Sequence, residues 1–196
     1  MNKDDLIFIK NATWQEVFED WRKREGNDPG WINCAVNIKG WPDWENWRQY
    51  TASQFGAEGR EWKIYQIEDA NKIVPEMLVG PYTGWQNRLP VKNTLSFAEM
   101  SEIPKNYEEF SKNEKVLGII KNWPASTQFI GVIRADNNKI VCVEGHHRAM
   151  AIALAVKNGQ PLKLDNDVTI ALCELAPSEE KLLDKILVKG SQCPNQ

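Results

Sequence analysis

The sequence predicts a mixed α/β (α+β) fold, and three stretches in its second half carry that expectation. Phe129-Ile-Gly-Val-Ile-Arg-Ala135 and Lys139-Ile-Val-Cys-Val143 flank Asp136-Asn-Asn138, which reads as a β-hairpin with a polar turn. The second strand runs through Glu144-Gly-His-His-Arg148 into Ala149-Met-Ala-Ile-Ala-Leu-Ala-Val156, too Ala-rich and unbroken for a strand and followed by Gly159, a natural helix terminator. Val168-Thr-Ile-Ala-Leu-Cys-Glu-Leu175 reads as a further strand.

The first third differs in composition, with seven of the chain's nine tryptophans before residue 63. Trp14-Gln-Glu-Val-Phe-Glu-Asp-Trp21-Arg22 and Trp41-Pro-Asp-Trp44-Glu-Asn-Trp47-Arg48 resemble each other and fit two short amphipathic helices, the second with Pro42 and Asp43 in its first turn. Large aromatics at helical spacing favour a packing role. The sharper alternative is a stacking platform for a base or sugar, with Arg22 or Arg48 nearby.

Further along, Glu61-Trp-Lys-Ile-Tyr-Gln-Ile67 alternates like a half-buried strand, and Gly80-Pro-Tyr-Thr-Gly84 breaks the chain. Asn106-Tyr-Glu-Glu109 has capping-box spacing and is expected to open a helix to about Asn122, ended by Trp123-Pro124. Ser178 is expected to cap a last amphipathic helix carrying Leu182, Leu183, Ile186 and Leu187, with a frayed tail from Ser191. The expected organisation is a Trp-rich extension, residues 1–79, packed on a core domain, residues 80–196, together one structural unit.

A net charge of -3 with Lys and Arg scattered disfavours a nucleic-acid grip, which draws most of its affinity from charge neutralisation. No stretch approaches the roughly 20 apolar residues of a membrane span, and the N-terminus lacks the pattern of a secretory signal. The expectation is a cytoplasmic protein with no membrane partner. Cys34, Cys142, Cys173 and Cys193 lie far apart without CxxC spacing, so reduced thiols are expected, Cys142 and Cys173 within apolar strands.

Both histidines are adjacent, His146 and His147, between Gly145 and Arg148. A turn from strand into helix aims unpaired backbone N–H groups and the positive helix end outward, ready to hold an anion, and Gly145 lets a ligand approach the backbone. Arg148 can pair with phosphate oxygens, and either imidazole can donate to phosphate or relay a proton. Glu144 could hold Mg²⁺ or accept a proton from a hydroxyl. The competing reading is that the histidines cap the helix or pair with buried carboxylates.

At these residues the sequence resembles the ParB/sulfiredoxin superfamily, in which a strand hairpin, a Gly-x-His-Arg-like turn and an Ala-rich helix form a nucleotide-phosphate site. The match runs from about Tyr107 to Leu175 and leaves the Trp-rich part unexplained. Glu-Gly-His-His-Arg is most similar to the Asp-Gly-His-His-Arg of the free-serine kinase branch, with Glu in place of Asp. The resemblance implies a ParB/sulfiredoxin-like mixed sheet with helices, nucleotide phosphates at Gly145, His146, His147 and Arg148, and a role for Glu144 near the transferred phosphoryl group. Sulfiredoxin chemistry is disfavoured, because His146 stands where those proteins carry the cysteine.

The resulting expectation is a nucleotide-dependent phosphotransferase using ATP or another nucleotide with Mg²⁺ on a small hydroxyl compound. Glu144 and His147 are its candidate catalytic residues and Glu144 its candidate metal ligand. Glu76, Glu99 and Glu102 are candidates for the base that such a kinase takes from an early segment. The alternative is a non-catalytic nucleotide-binding module that switches a protein or nucleic-acid contact. Nuclease action is weaker, since no second acidic cluster for two metals is evident. The sequence sets no oligomeric state.

Overall fold

In this computed structural model, residues 6–124, 126–164, 168–179, 181–189 and 193 are described. Strand β1 (Leu6–Ala12) leads into α1 (Trp14–Glu25), α2 (Pro29–Asn33), a π-helical turn (Cys34–Ile38) and α3 (Trp44–Ser53). After β2 (Trp62–Ile67) come the short helices α4 (Ala70–Ile73), α5 (Thr83–Gln86), α6 (Phe97–Glu102) and α7 (Pro104–Phe110), then α8 (Glu114–Lys121). The hairpin β3 (Thr127–Arg134) and β4 (Ile140–Glu144) precedes α9 (His146–Lys157), β5 (Val168–Leu175) and α10 (Lys181–Lys189). The mixed α/β class is as expected.

The five strands form one sheet in the order β1-β2-β5-β3-β4. Three neighbouring pairs are antiparallel, and β3 and β5 run parallel because β4 and α9 carry the chain back across the sheet. Side chains alternate between two cores. On β5, Val168, Ile170 and Leu172 face the core that holds α9, while Ala171, Cys173 and Leu175 face the Trp-rich helices. Residues 1–79 therefore supply two of the five strands, and the sheet continues across the expected boundary at 79/80. Strand β1, which the sequence reading did not anticipate, forms one edge and leaves Ile7, Phe8 and Ile9 half exposed.

Helix α1 begins with a capping box in which Thr13 and Glu16 bond each other's backbone N–H groups. It buries Trp14, Val17, Phe18 and Trp21, a stripe at helical spacing. Asp43 caps α3 instead of sitting in its first turn, and Trp44 and Trp47 are buried, so the tryptophan stripes are packing surfaces. Truncating a fully buried aromatic such as Trp21 to Ala would cost about 3–5 kcal/mol.

One expected helix is two. Asn106 lies inside α7, with its side chain donating to the Arg88 and Met100 carbonyls, so it caps nothing. Pro104 starts α7, the chain turns at Ser111, and Asn113 caps α8 through the Val116 N–H. Helix α9 starts at His146, three residues before the Ala-rich run, and Ala149 through Ala155 are all buried, as in a helix apolar all round. Ser178 falls in a 3-10 turn, Pro177–Glu179, ahead of α10, where Leu183 and Ile186 are buried. Apart from Cys193, the tail from Ser191 lies outside the described residues. No helix among the described residues is long and apolar enough to cross a membrane.

Candidate functional site

Gly145 joins β4 to α9 with φ of 105°, a left-handed conformation that favours glycine. A Cβ there would lie 2.3 Å from the Phe129 ring, so packing as well as backbone geometry demands glycine. The turn makes His146, His147 and Arg148 the first helical residues. Their N–H groups precede the first intrahelical bond, from the Ala149 N–H to the Gly145 carbonyl, and Gly145 has no side chain to cap them. All five motif residues are thus gathered at one helix start, but their side chains divide into three environments.

His146 turns inward. Its ring packs against Tyr82, Trp85 and Phe97, and its Nε2 accepts the Gly80 N–H at 3.1 Å. An acceptor Nε2 fixes the neutral tautomer with its proton on Nδ1, which lies 3.7 Å from the Cys142 sulfur. Burial first, then His147, which protonates ahead of it on acidification, and the Arg48 charge, drive its pKa down to about 3. The expectation that either imidazole meets phosphate is corrected here: the His146 ring is a core strut, and this residue offers a ligand its backbone N–H.

Glu144 and Arg148 form the second environment. Arg148 Nη2 lies 2.5 and 2.6 Å from the two Glu144 oxygens, its Nη1 donates to Thr127 Oγ1, and Arg24 Nη1 reaches Glu144 at 3.1 Å. Burial alone would raise the Glu144 pKa, but the charges and hydrogen bonds of Arg148 and Arg24 more than offset it and hold it at about 2. Glu144 is therefore ionised, saturated by two guanidiniums, and a weak base. It does not fit the expected Mg²⁺ ligand, since a metal would have to displace a guanidinium from each oxygen. Among the described residues no group of three or more His, Cys, Asp or Glu is placed to hold a metal ion.

His147 occupies the third environment and is the motif side chain left for a ligand. Its ring lies 5.2 Å from Trp85 and 6.3 Å from Trp31. Burial first, then the positive charges of Lys115, Arg88 and Arg148, lower its pKa to about 4. Glu144 opposes them, and Arg88 and Arg148 are paired with Glu109 and Glu144, so Lys115 is the cation of the three without an ion pair within 4 Å among the described residues. Lys115, from α8, rests its ammonium 3.9 Å from the Trp31 ring centre, with no carboxylate within 4 Å among the described residues. Burial lowers its pKa too, against the pull of Glu25 and Asp28.

Several contributors were missed by sequence reasoning: Arg24, Glu25, Trp31, Trp85 and Lys115. Arg48 had been noted, and it lies in a cage of indoles, 3.9 Å from Trp47 and 4.9 Å from Trp21 and Trp31, and bonds Glu25 at 3.1 Å. Arg22 instead faces outward to Glu19. The candidate bases are elsewhere: Glu99 belongs to the capping box of α6, Glu102 pairs with Lys157, and Glu76 is exposed at the end of a 3-10 turn. Glu25 is the acidic residue from the early segment that lies close to the motif, and its pKa is raised, chiefly by burial. A cavity of about 430 Å³ is lined by Arg24, Thr127, Asp20, Gln66, Gln128 and Thr169 among others. It touches Arg24 and Thr127, which bond Glu144 and Arg148. All four cysteines are free thiols, Cys142 and Cys173 buried.

Comparison of the chain with protein-family models, with curated proteins and with solved structures finds no match.

Proposed function

We propose that this chain binds a nucleotide through its phosphates at the start of α9. The observation that carries the reading is the combination at His147: a helix start opening from a glycine turn, with the Lys115 ammonium nearby and the ion-paired Arg88 and Arg148 beside it. Helix N-termini hold phosphate through their N–H groups and dipole, and cations beside them add charge-assisted bonds. The hairpin, the glycine turn, the buried Ala-rich helix and the parallel β3/β5 pair also support a ParB/sulfiredoxin-like assignment, with the Trp-rich helices packed on one face of the shared sheet.

Within this reading, binding is better supported than turnover. Phosphoryl transfer to a small hydroxyl compound needs a group to orient or deprotonate the acceptor. Glu144 is occupied by Arg148 and Arg24, and Glu25 by Arg48 and Trp21, which leaves His147, neutral at pH 7, as the group best placed to accept a proton. The non-catalytic module is favoured by one specific observation, the commitment of the motif carboxylate to structural ion pairing.

The test is calorimetric titration of ATP, CTP, GTP and inorganic tripolyphosphate into the wild type and the Lys115→Met variant. Saturable binding, weakened about tenfold by loss of one cation, as a charge-assisted bond of about 1.5 kcal/mol implies, supports the reading. Absence of binding by all four, or affinity identical in the variant, overturns it. Turnover with a panel of hydroxyl acceptors would separate kinase from module.

A further inference from the structure

Three N–H donors around Arg48 have no hydrogen-bond partner although they are sealed from solvent: Trp44 Nε1, Trp47 Nε1 and Arg48 Nε. Their residues are 3%, 5% and 8% exposed. Buried donors in folded proteins are almost always paired, so three orphans on one helix face demand an account. They are neighbours: the Arg48 guanidinium lies 3.9 Å from the Trp47 ring centre and 5.8 Å from that of Trp44. Other indole donors in the same helices are satisfied, Trp14 by Gln49 and Trp21 by Glu25.

The charge balance points the same way. Trp31 has Arg48 4.9 Å and Lys115 3.9 Å from its ring centre, so two cations share one indole. Arg48 is paired with Glu25, whereas Lys115, an exposed residue, rests on the π-face of Trp31 and feels Glu25, Asp28 and Glu144 only through longer-range attraction. The three buried donors need an acceptor, and the guanidinium and ammonium beside them favour one that carries negative charge.

We propose that Trp44 Nε1, Trp47 Nε1 and Arg48 Nε, with Lys115 beside them, form an oxyanion subsite beneath Trp31 that takes a carboxylate or a phosphate group. Trp31 is its cover. Between residues 27 and 38 only Trp31, Cys34 and Ala35 are not exposed, so few contacts hold this segment in place, and Gly40, with φ of 73°, ends it. Outward movement of Trp31 would open the donors and release Lys115 from its ring. The subsite stands on donors of α3 and the nucleotide reading on the start of α9, with Lys115 common to both.

The experiment is indole NMR on the full chain labelled with ¹⁵N-tryptophan, with Trp44 and Trp47 assigned through Trp44→Phe and Trp47→Phe. Sodium phosphate and sodium acetate are titrated separately, with sodium chloride as the ionic-strength control. The two Nε1 protons should move downfield saturably with at least one oxyanion and stay still with chloride. Trp14, Trp21 and Trp62, already bonded to Gln49, Glu25 and Ala57, should hardly move. The oxyanion that binds more tightly identifies the ligand group. Trp47→Phe keeps a ring but removes a donor, and should weaken binding about tenfold, the scale of one hydrogen bond to a charged group. Lys115→Met removes the neighbouring cation while keeping all three donors and should also weaken the indole response, a second readout should the Phe variants not fold, interpreted together with His147→Ala because Lys115 serves both sites. His147→Ala should leave the indole response intact, which separates this subsite from the α9 start. Indole signals that neither oxyanion moves, or that move no more than the three references, overturn the proposal, as do water contacts at both donors that persist unchanged at saturating oxyanion.

Discussion

Arg148 places one guanidinium nitrogen within 2.6 Å of both carboxylate oxygens of Glu144, four residues earlier, and Arg24 reaches the same carboxylate from α1, 120 residues away in sequence. A buried carboxylate bridged by two arginines pins the Trp-rich helices to the start of α9. Removing one partner strands a buried charge, which is strongly destabilising, whereas replacing the group with an apolar set is often tolerated. Arg148→Ala should lower unfolding free energy by about 3–5 kcal/mol, and Glu144→Gln in the same chain should recover part of the loss. Urea denaturation of the single and double variants measures this, and a loss below about 1 kcal/mol, the scale of an exposed pair, would contradict it. Arg148→Ala is therefore a poor probe of ligand binding alone.

The same pair gives an acid limb to stability. The Glu144 pKa of about 2 lies below its ordinary 4.5, so its contribution is complete above about 4.5 and is lost as the pH falls toward 2. The contribution is on the order of 3 kcal/mol. Denaturant midpoints between pH 2 and 6 should fall less steeply below pH 4.5 in Glu144→Gln that retains its fold than in the wild type.

His146 and His147 act over a higher window. With folded pKa values of about 3 and about 4 against an ordinary 6.5, the unfolded chain takes up their protons first on acidification. Stability from both is complete above pH 6.5 and declines from there, toward about pH 4 for His147 and about pH 3 for His146. A bound phosphate favours the protonated ring, so tripolyphosphate should raise the His147 pKa by about one unit and leave His146 little changed, by NMR titration of the Cε1 protons.

Two glycines hold the turn in place. Gly145→Ala combines an unfavourable φ with a Cβ in the Phe129 ring, and Gly80→Ala would place a Cβ 1.9 Å from the Cys142 carbonyl and 2.5 Å from His146 Nε2. Each should destabilise the protein by about 3 kcal/mol or more, the sum of backbone strain and overpacking. A thermal midpoint within a few degrees of wild type would contradict the placement of β4 against the Gly80 segment.

Asn113→Ala removes the cap of α8 and should cost about 1 kcal/mol. Because α8 carries Lys115, the same variant should also weaken nucleotide binding. Unchanged affinity would separate α8 from the site.

What the sequence disclosed is what is encoded locally. The β3/β4 hairpin, the Gly145 turn and the Ala-rich helix each rest on neighbours in the chain, and all three formed. Asn106 failed as a cap because its side chain is drawn to the Arg88 and Met100 carbonyls, a tertiary choice that capping-box spacing does not reveal. The site's remaining charges arrive from distant helices. On α1 the buried Trp21 directs residues three and four later, Arg24 and Glu25, toward the motif, and it directs Arg22 outward. Extending the helical stripe past Trp21 could have found them. Lys115 gave no local signal, since its role depends on Trp31 and His147 lying across from α8.

The central claim is that the start of α9 holds a phosphate-bearing ligand, and backbone amide NMR during an ATP titration at pH 7 tests it most directly. The account predicts saturable downfield shifts at the amides of His146, His147 and Arg148, reproduced in position by tripolyphosphate and weakened in Lys115→Met. Amides that stay still up to millimolar ATP, or a response confined to other parts of the chain, would contradict it.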